Sequence, residues 1–105
     1  MDAQMKKGLL DVCVLSILTR EDTYGYKLTQ EVTELMDTSE SALYPVLRRL
    51  ESQNYLGTYS VEHSGRLRKY YRITAQGIER LSEYIEELKD LRKVIDIIIG
   101  GDSNE

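Results

Sequence analysis

The sequence predicts a mainly α-helical protein carrying one small β-hairpin. Apolar residues recur at spacings of three and four over most of the chain, the mark of helices with one buried face. Two short segments alternate instead, with Ser64 and Gly65 between them. After Thr74 a single helical pattern runs almost to the end.

Taken in order, residues 5–19 contain "GLLDVCVLSIL", apolar enough for a helix buried over most of its circumference. "REDTYGYK" breaks that pattern and offers Asp22 or Thr23 as a cap for a second helix over 24–36. Tyr24, Leu28, Val32 and Leu35 share a face there. "DTSES" is a short polar connection, and a third helix over 41–53 aligns Leu43, Val46, Leu47 and Leu50. Pro45 is expected in its first turn, where a proline removes only an early donor. Asn54 is expected to end it in the left-handed conformation.

"GTYSVEH" and "LRKYYRI" then read as two strands around a tight turn. Tyr59 and Val61 share one face of the first, and Leu67, Tyr71 and Ile73 one face of the second. Thr74 caps a last helix over 75–99, about 37 Å long at 1.5 Å per residue. Ile78, Leu81, Ile85, Leu88, Ile95 and Ile99 form a heptad seam broken by Arg92, widened by Tyr84, Leu91 and Ile98. A helix of that length outruns the body the remaining residues can build. Its apolar end therefore predicts a second copy of the chain. Residues 1–74 are read as one domain, 75–99 as a dimerisation helix and 100–105 as a disordered tail.

Composition narrows the function classes. One cysteine, Cys13, excludes an intrachain disulfide, and with one histidine no metal cluster or cofactor is expected. No nucleophile–base pairing and no glycine-rich phosphate loop is visible, which argues against an enzyme. The polar start and the lack of a long apolar run predict a cytoplasmic protein without a membrane segment.

Charge is uneven. The net charge is −4, yet residues 40–75 carry six basic and three acidic side chains. Within "GRLRKYYRIT" Arg66, Arg68, Lys69 and Arg72 meet no acidic residue. A locally basic segment in an acidic chain points to a local anionic partner.

The order helix, helix, turn, helix, hairpin, helix is that of a winged helix-turn-helix, whose second motif helix enters the DNA major groove. On that reading Ser39, Ser41, Ala42 and Tyr44 are DNA-facing, with Ser41 and Ala42 meeting base edges and Tyr44 donating to a phosphate. Arg48 and Arg49 lie one turn on, with at least one directed to DNA, and Arg66, Arg68 and Lys69 reach phosphates from the hairpin. Glu40 opposes phosphate but suits a helix N-terminus.

The stretches "YGYKLTQEV", "ALYPVLRRLE" and "GRLRKYYRITAQGIERL" resemble the PadR family of bacterial transcriptional regulators. The resemblance spans nearly the whole chain. It implies reading and wing roles for Ser41, Ala42, Tyr44, Arg48, Arg66, Arg68 and Lys69. It also implies a homodimer through the last helix, helped by the first. Asn54 stands where the family commonly has glycine. Some short members bind flat aromatic compounds through tryptophan. This chain has no Trp or Phe, so a small aromatic effector is left without assigned residues. The expected function is a homodimeric repressor of an inverted-repeat operator, released by an effector. The rival is a winged-helix protein-interaction module that does not bind DNA.

Overall fold

The computed structural model describes residues 3–100. Its elements are α1 (Ala3–Leu18), β1 (Thr23–Tyr24), α2 (Gly25–Leu35), α3 (Glu40–Ser52), β2 (Leu56–His63), β3 (Arg66–Ile73) and α4 (Ala75–Ile99). The predicted class holds, with one addition. The hairpin gains a third strand, giving the antiparallel order β1-β3-β2. Thr23 pairs with Tyr71 and Tyr24 with Tyr70. Two residues are too few to show a period, so this strand was invisible in the pattern.

That pairing also changes the start of α2. Neither Asp22 nor Thr23 caps it; Tyr24 holds the N-cap position without a side-chain bond. Asp22 instead accepts a 2.6 Å hydrogen bond from the Tyr59 hydroxyl. Ser39 caps α3, its Oγ accepting from the Ala42 amide at 3.2 Å. With the helix beginning at Glu40, Pro45 falls in its second turn rather than its first. The bond it cannot make is the one to the Ser41 carbonyl, on the exposed side of the helix.

The end of α3 follows the expected chemistry closely. Asn54 has φ 66°, and the amides of Asn54 and Tyr55 donate to the carbonyls of Glu51 and Leu50. This is a Schellman closure with asparagine in the glycine position. Thr74 then ties the corner: its hydroxyl donates to the Asn54 carbonyl at 2.6 Å and accepts from the Gly77 amide that begins α4. A Cβ at Gly77 would collide with the Tyr55 carbonyl oxygen, so α4 starts in backbone contact with the turn before β2. At the hairpin tip Ser64 and Gly65 have φ 53° and 79°, the two positive values a type I′ turn requires.

α1 runs through the core, with Val14 and Leu15 fully buried. Leu28 and Val32 of α2, Leu43, Leu47 and Leu50 of α3, Leu56 of β2 and Tyr71 of β3 close around it. Ile73 packs at the edge of this cluster, but Leu67, on the same strand face, is 77% exposed because the hairpin has left the body by then. Tyr59 and Val61 lie on the opposite, solvent-facing side.

Leu81 corrects the predicted seam. It is buried in the protomer's own core rather than held out for a second chain. Tyr84 packs at the edge of the same core, and Leu88 is half-buried. From Lys89 to Ile99 every residue of α4 is exposed. Gly100 closes the helix in the left-handed conformation, and the rest of the expected tail, 101–105, lies outside the described residues.

Candidate nucleic-acid interface

Three short pieces of chain build the candidate surface: the start of α3, the β2–β3 hairpin and the residues leading into α2. The first turn of α3 stands free because its apolar face begins only at Leu43. Glu40, Ser41 and Ala42 are exposed, as is Ser39 before them. Ser41 Oγ lies 3.2 Å from Ser39 Oγ. Ser39 is therefore engaged in capping, and Ser41 is the hydroxyl presented outward.

Tyr44 is half-buried and lines a cleft of about 710 Å³ with Tyr24, His63, Arg66, Arg68 and Lys69. The hairpin thus faces the flank of α3 that carries Tyr44. Burial first, then Glu40 one turn earlier, push the Tyr44 phenol above its usual value. At neutral pH it is a protonated donor, the form a phosphate oxygen accepts from.

The wing cations are held differently from one another. Arg66 is exposed and closes no ion pair among the described residues. The Arg68 guanidinium lies 4.0 Å above the Tyr24 ring centroid, which fixes its direction while leaving its charge unneutralised. Lys69 reaches Glu51 at 3.6 Å and lies 5.3 Å from the Tyr71 ring. Both members of that ion pair reach solvent, so it is weak enough to exchange for a phosphate.

Sequence reasoning missed the support beneath the wing. Tyr59 stacks on Tyr70 at 5.5 Å, and Tyr70 meets Tyr24 edge-on at 5.6 Å. With the Tyr59–Asp22 hydrogen bond, this ladder ties the hairpin to the entry of α2. The signal was present in part, as three tyrosines and no other aromatic type, but only the β1 pairing brings Tyr24 alongside.

The two arginines of α3 divide. Arg48 is exposed and free of ion pairs among the described residues. Arg49 is taken up elsewhere: Nη2 lies 2.6 Å from Asp11 Oδ1 and Nη1 3.1 Å from Oδ2. Asp11 is 5% exposed, and its second oxygen also accepts from the Tyr84 hydroxyl at 3.3 Å. The bond to Asp11 pushes the Arg49 guanidinium further up. A buried carboxylate held by a two-pronged guanidinium is a structural tie between α1, α3 and α4. The expectation that Arg49 contacts DNA is corrected on this ground.

The protein offers little for other chemistry. Among the described residues no group of His, Cys, Asp and Glu can hold a metal ion. Cys13 is half-buried, and burial pushes its thiol up, away from the reactive thiolate. No described helix is long and apolar enough to cross a membrane.

An exposed helix start beside a cationic hairpin, both on one side of a helical body, defines a winged helix-turn-helix protein of the DNA-binding class. Residues 14–83 match the profile of the Transcriptional regulator PadR-like family. The chain belongs to that family, whose members are transcriptional regulators and not enzymes.

Relatives agree over most of its length. An uncharacterised protein of Lysinibacillus sphaericus is 36% identical over 100 residues, covering 90% of this chain and 92% of its own. A transcriptional regulator of Mycobacterium tuberculosis is 28% identical over 102 residues, covering 96% and 92%. Among solved structures, a PadR-like regulator from Bacillus cereus has TM-score 0.84 at 31% identity, covering 95% of this chain and all (100%) of that one. A Streptococcus mutans protein has TM-score 0.82 at 37% identity, covering 92% of both.

Proposed function

We propose that the chain is a homodimeric, sequence-specific repressor that occupies an inverted-repeat operator and leaves it when an effector binds. The observation that carries the DNA reading is the exposed turn of α3 flanked by unneutralised wing cations, Arg66 and Arg68. In a duplex, Ser41 and Ala42 meet base edges while Tyr44, Arg48 and the wing hold phosphates. The exposed half of α4 supports dimerisation: Leu91, Ile95, Ile98 and Ile99 are 46%, 38%, 76% and 74% exposed. An apolar stripe of that extent calls for a partner, and a second copy supplies a matching one. Two copies then present their α3 helices to major grooves about 34 Å apart. Release follows if a small aromatic effector favours a different spacing of the two subunits.

The test is a fluorescence anisotropy titration on a duplex selected from a random pool. Arg66→Ala with Arg68→Ala is expected to weaken binding about tenfold or more. It should also flatten the salt dependence by about 0.9 log units per lost phosphate contact. A double variant that binds like the wild type would overturn the wing assignment. A wild type that ignores every duplex at low salt would favour the protein-interaction module.

A further inference from the structure

Two clefts flank α3. Tyr44 lines one of them, and the wing forms its opposite wall. Ala42 and Pro45 line the other, beside Thr38 and Ser39. At 3.6 residues per turn, Ala42 and Tyr44 point about 200° apart, so the clefts lie on opposite flanks of the helix. They are similar in size, about 740 Å³ and about 710 Å³. The far wall of the Ala42 cleft is the start of α1, which brings Lys6 and Lys7 to it.

Ion pairing leaves basic side chains free on both of these clefts. Arg20, Lys27 and Arg49 are neutralised by Glu31, Glu21 and Asp11. Lys6 and Lys7 close no ion pair among the described residues, which they share with Arg66 and Arg68. Asp37 is the acidic residue on the lysines' cleft, and it leaves both without a salt bridge. Arg48, Arg72, Arg92 and Lys93 also stand outside the ion pairs among the described residues, so free positive charge lies on both flanks of α3 without being confined to them.

We propose that Lys6 and Lys7 form a second phosphate clamp, holding the DNA strand on the side of α3 opposite the wing. This rests on the DNA-binding reading above and adds a site to it. The geometry of the duplex supplies the reason. The major groove is about 12 Å wide and a helix with its side chains about 10–12 Å across. A helix lying in the groove brings both phosphate rims against whatever flanks it. The wing meets one rim. The start of α1 is the element placed to meet the other, and two lysines there release counterions as the wing arginines do.

The experiment uses the full chain and its selected operator duplex. Anisotropy titrations over a salt series compare wild type, Lys6→Ala with Lys7→Ala, Lys6→Arg with Lys7→Arg, and Arg66→Ala with Arg68→Ala. Phosphate-ethylation interference locates the contacts. The lysine-to-alanine pair should lose about tenfold in affinity and about 0.9 of salt slope per contact removed. It should also erase interference on the strand across the groove from the one the wing variant affects. The arginine pair should restore both readouts, and unchanged thermal melts would show that folding is not the cause. A wild type that binds, together with an alanine pair matching it in affinity, slope and interference, would overturn the clamp and leave the wing reading intact. A wild type that binds no duplex would overturn both.

Discussion

The two halves of α4 are one unbroken helix in two environments. The near half is built into the protomer: Gly77 abuts the Tyr55 carbonyl, Leu81 is buried, and Tyr84 reaches Asp11 beneath α3. In the far half, from Lys89 onward, every residue is exposed, and only at Leu91 does it still border a cleft shared with α1 among the described residues. Its isoleucines resume the near half's apolar spacing after the interruption at Arg92. A repeating pattern thus reveals that a helix has a sticky face, not what that face adheres to. The body decides, by where it ends.

The sharpest way to break this contrast is at the far end. Ile95→Asn with Ile98→Asn is expected to convert the proposed dimer to a monomer in sedimentation or light scattering, with α-helical content in the winged body retained. If the variant unfolded altogether, the body would not stand alone as described.

Leu81→Ala tests the near half. It should cost about 3 kcal/mol in urea unfolding, the range of a large-to-small change in a packed core. A loss that instead varied with protein concentration would return Leu81 to the subunit seam.

Tyr84→Phe gives the smallest effect, about 1 kcal/mol for one hydrogen bond to a buried carboxylate. Its pH signature is more telling. Burial, then the Asp11 charge, raise the Tyr84 phenol above its unfolded value. The folded state therefore favours the protonated form. The stability this contributes is complete below the ordinary tyrosine value of about 10 and declines as pH rises toward and past the folded one. The phenylalanine variant should lose part of the wild type's alkaline decline, measured as urea midpoints at neutral and alkaline pH.

The same principle explains what was legible in the sequence. α3, the hairpin and its tip were, because each rests on local periodicity or a local turn: Leu43 to Leu50 on one face, Ser64 and Gly65 at positive φ, Asn54 closing the helix. The wing cations were also visible, as neighbours in the chain. What was hidden depends on distant partners. Arg49 looks like any exposed arginine until Asp11, 38 positions away, is placed beneath it. Lys6 and Lys7 look like a polar lead-in until α1 is laid beside α3. β1 is two residues long, and only the Tyr70–Tyr71 pairing gives it an identity.

The way α3 is fastened has one further result. Its last turns are riveted by Arg49 and the Asn54 corner, whereas Ser41 and Ala42 at its mouth are exposed and take no part in the core. On the proposed DNA reading, exchanging those two side chains would alter what the helix recognises while the chassis stays as it is. On that reading, descendants of such a protein would acquire new targets by respelling a pair of letters, with no renegotiation of how the molecule folds.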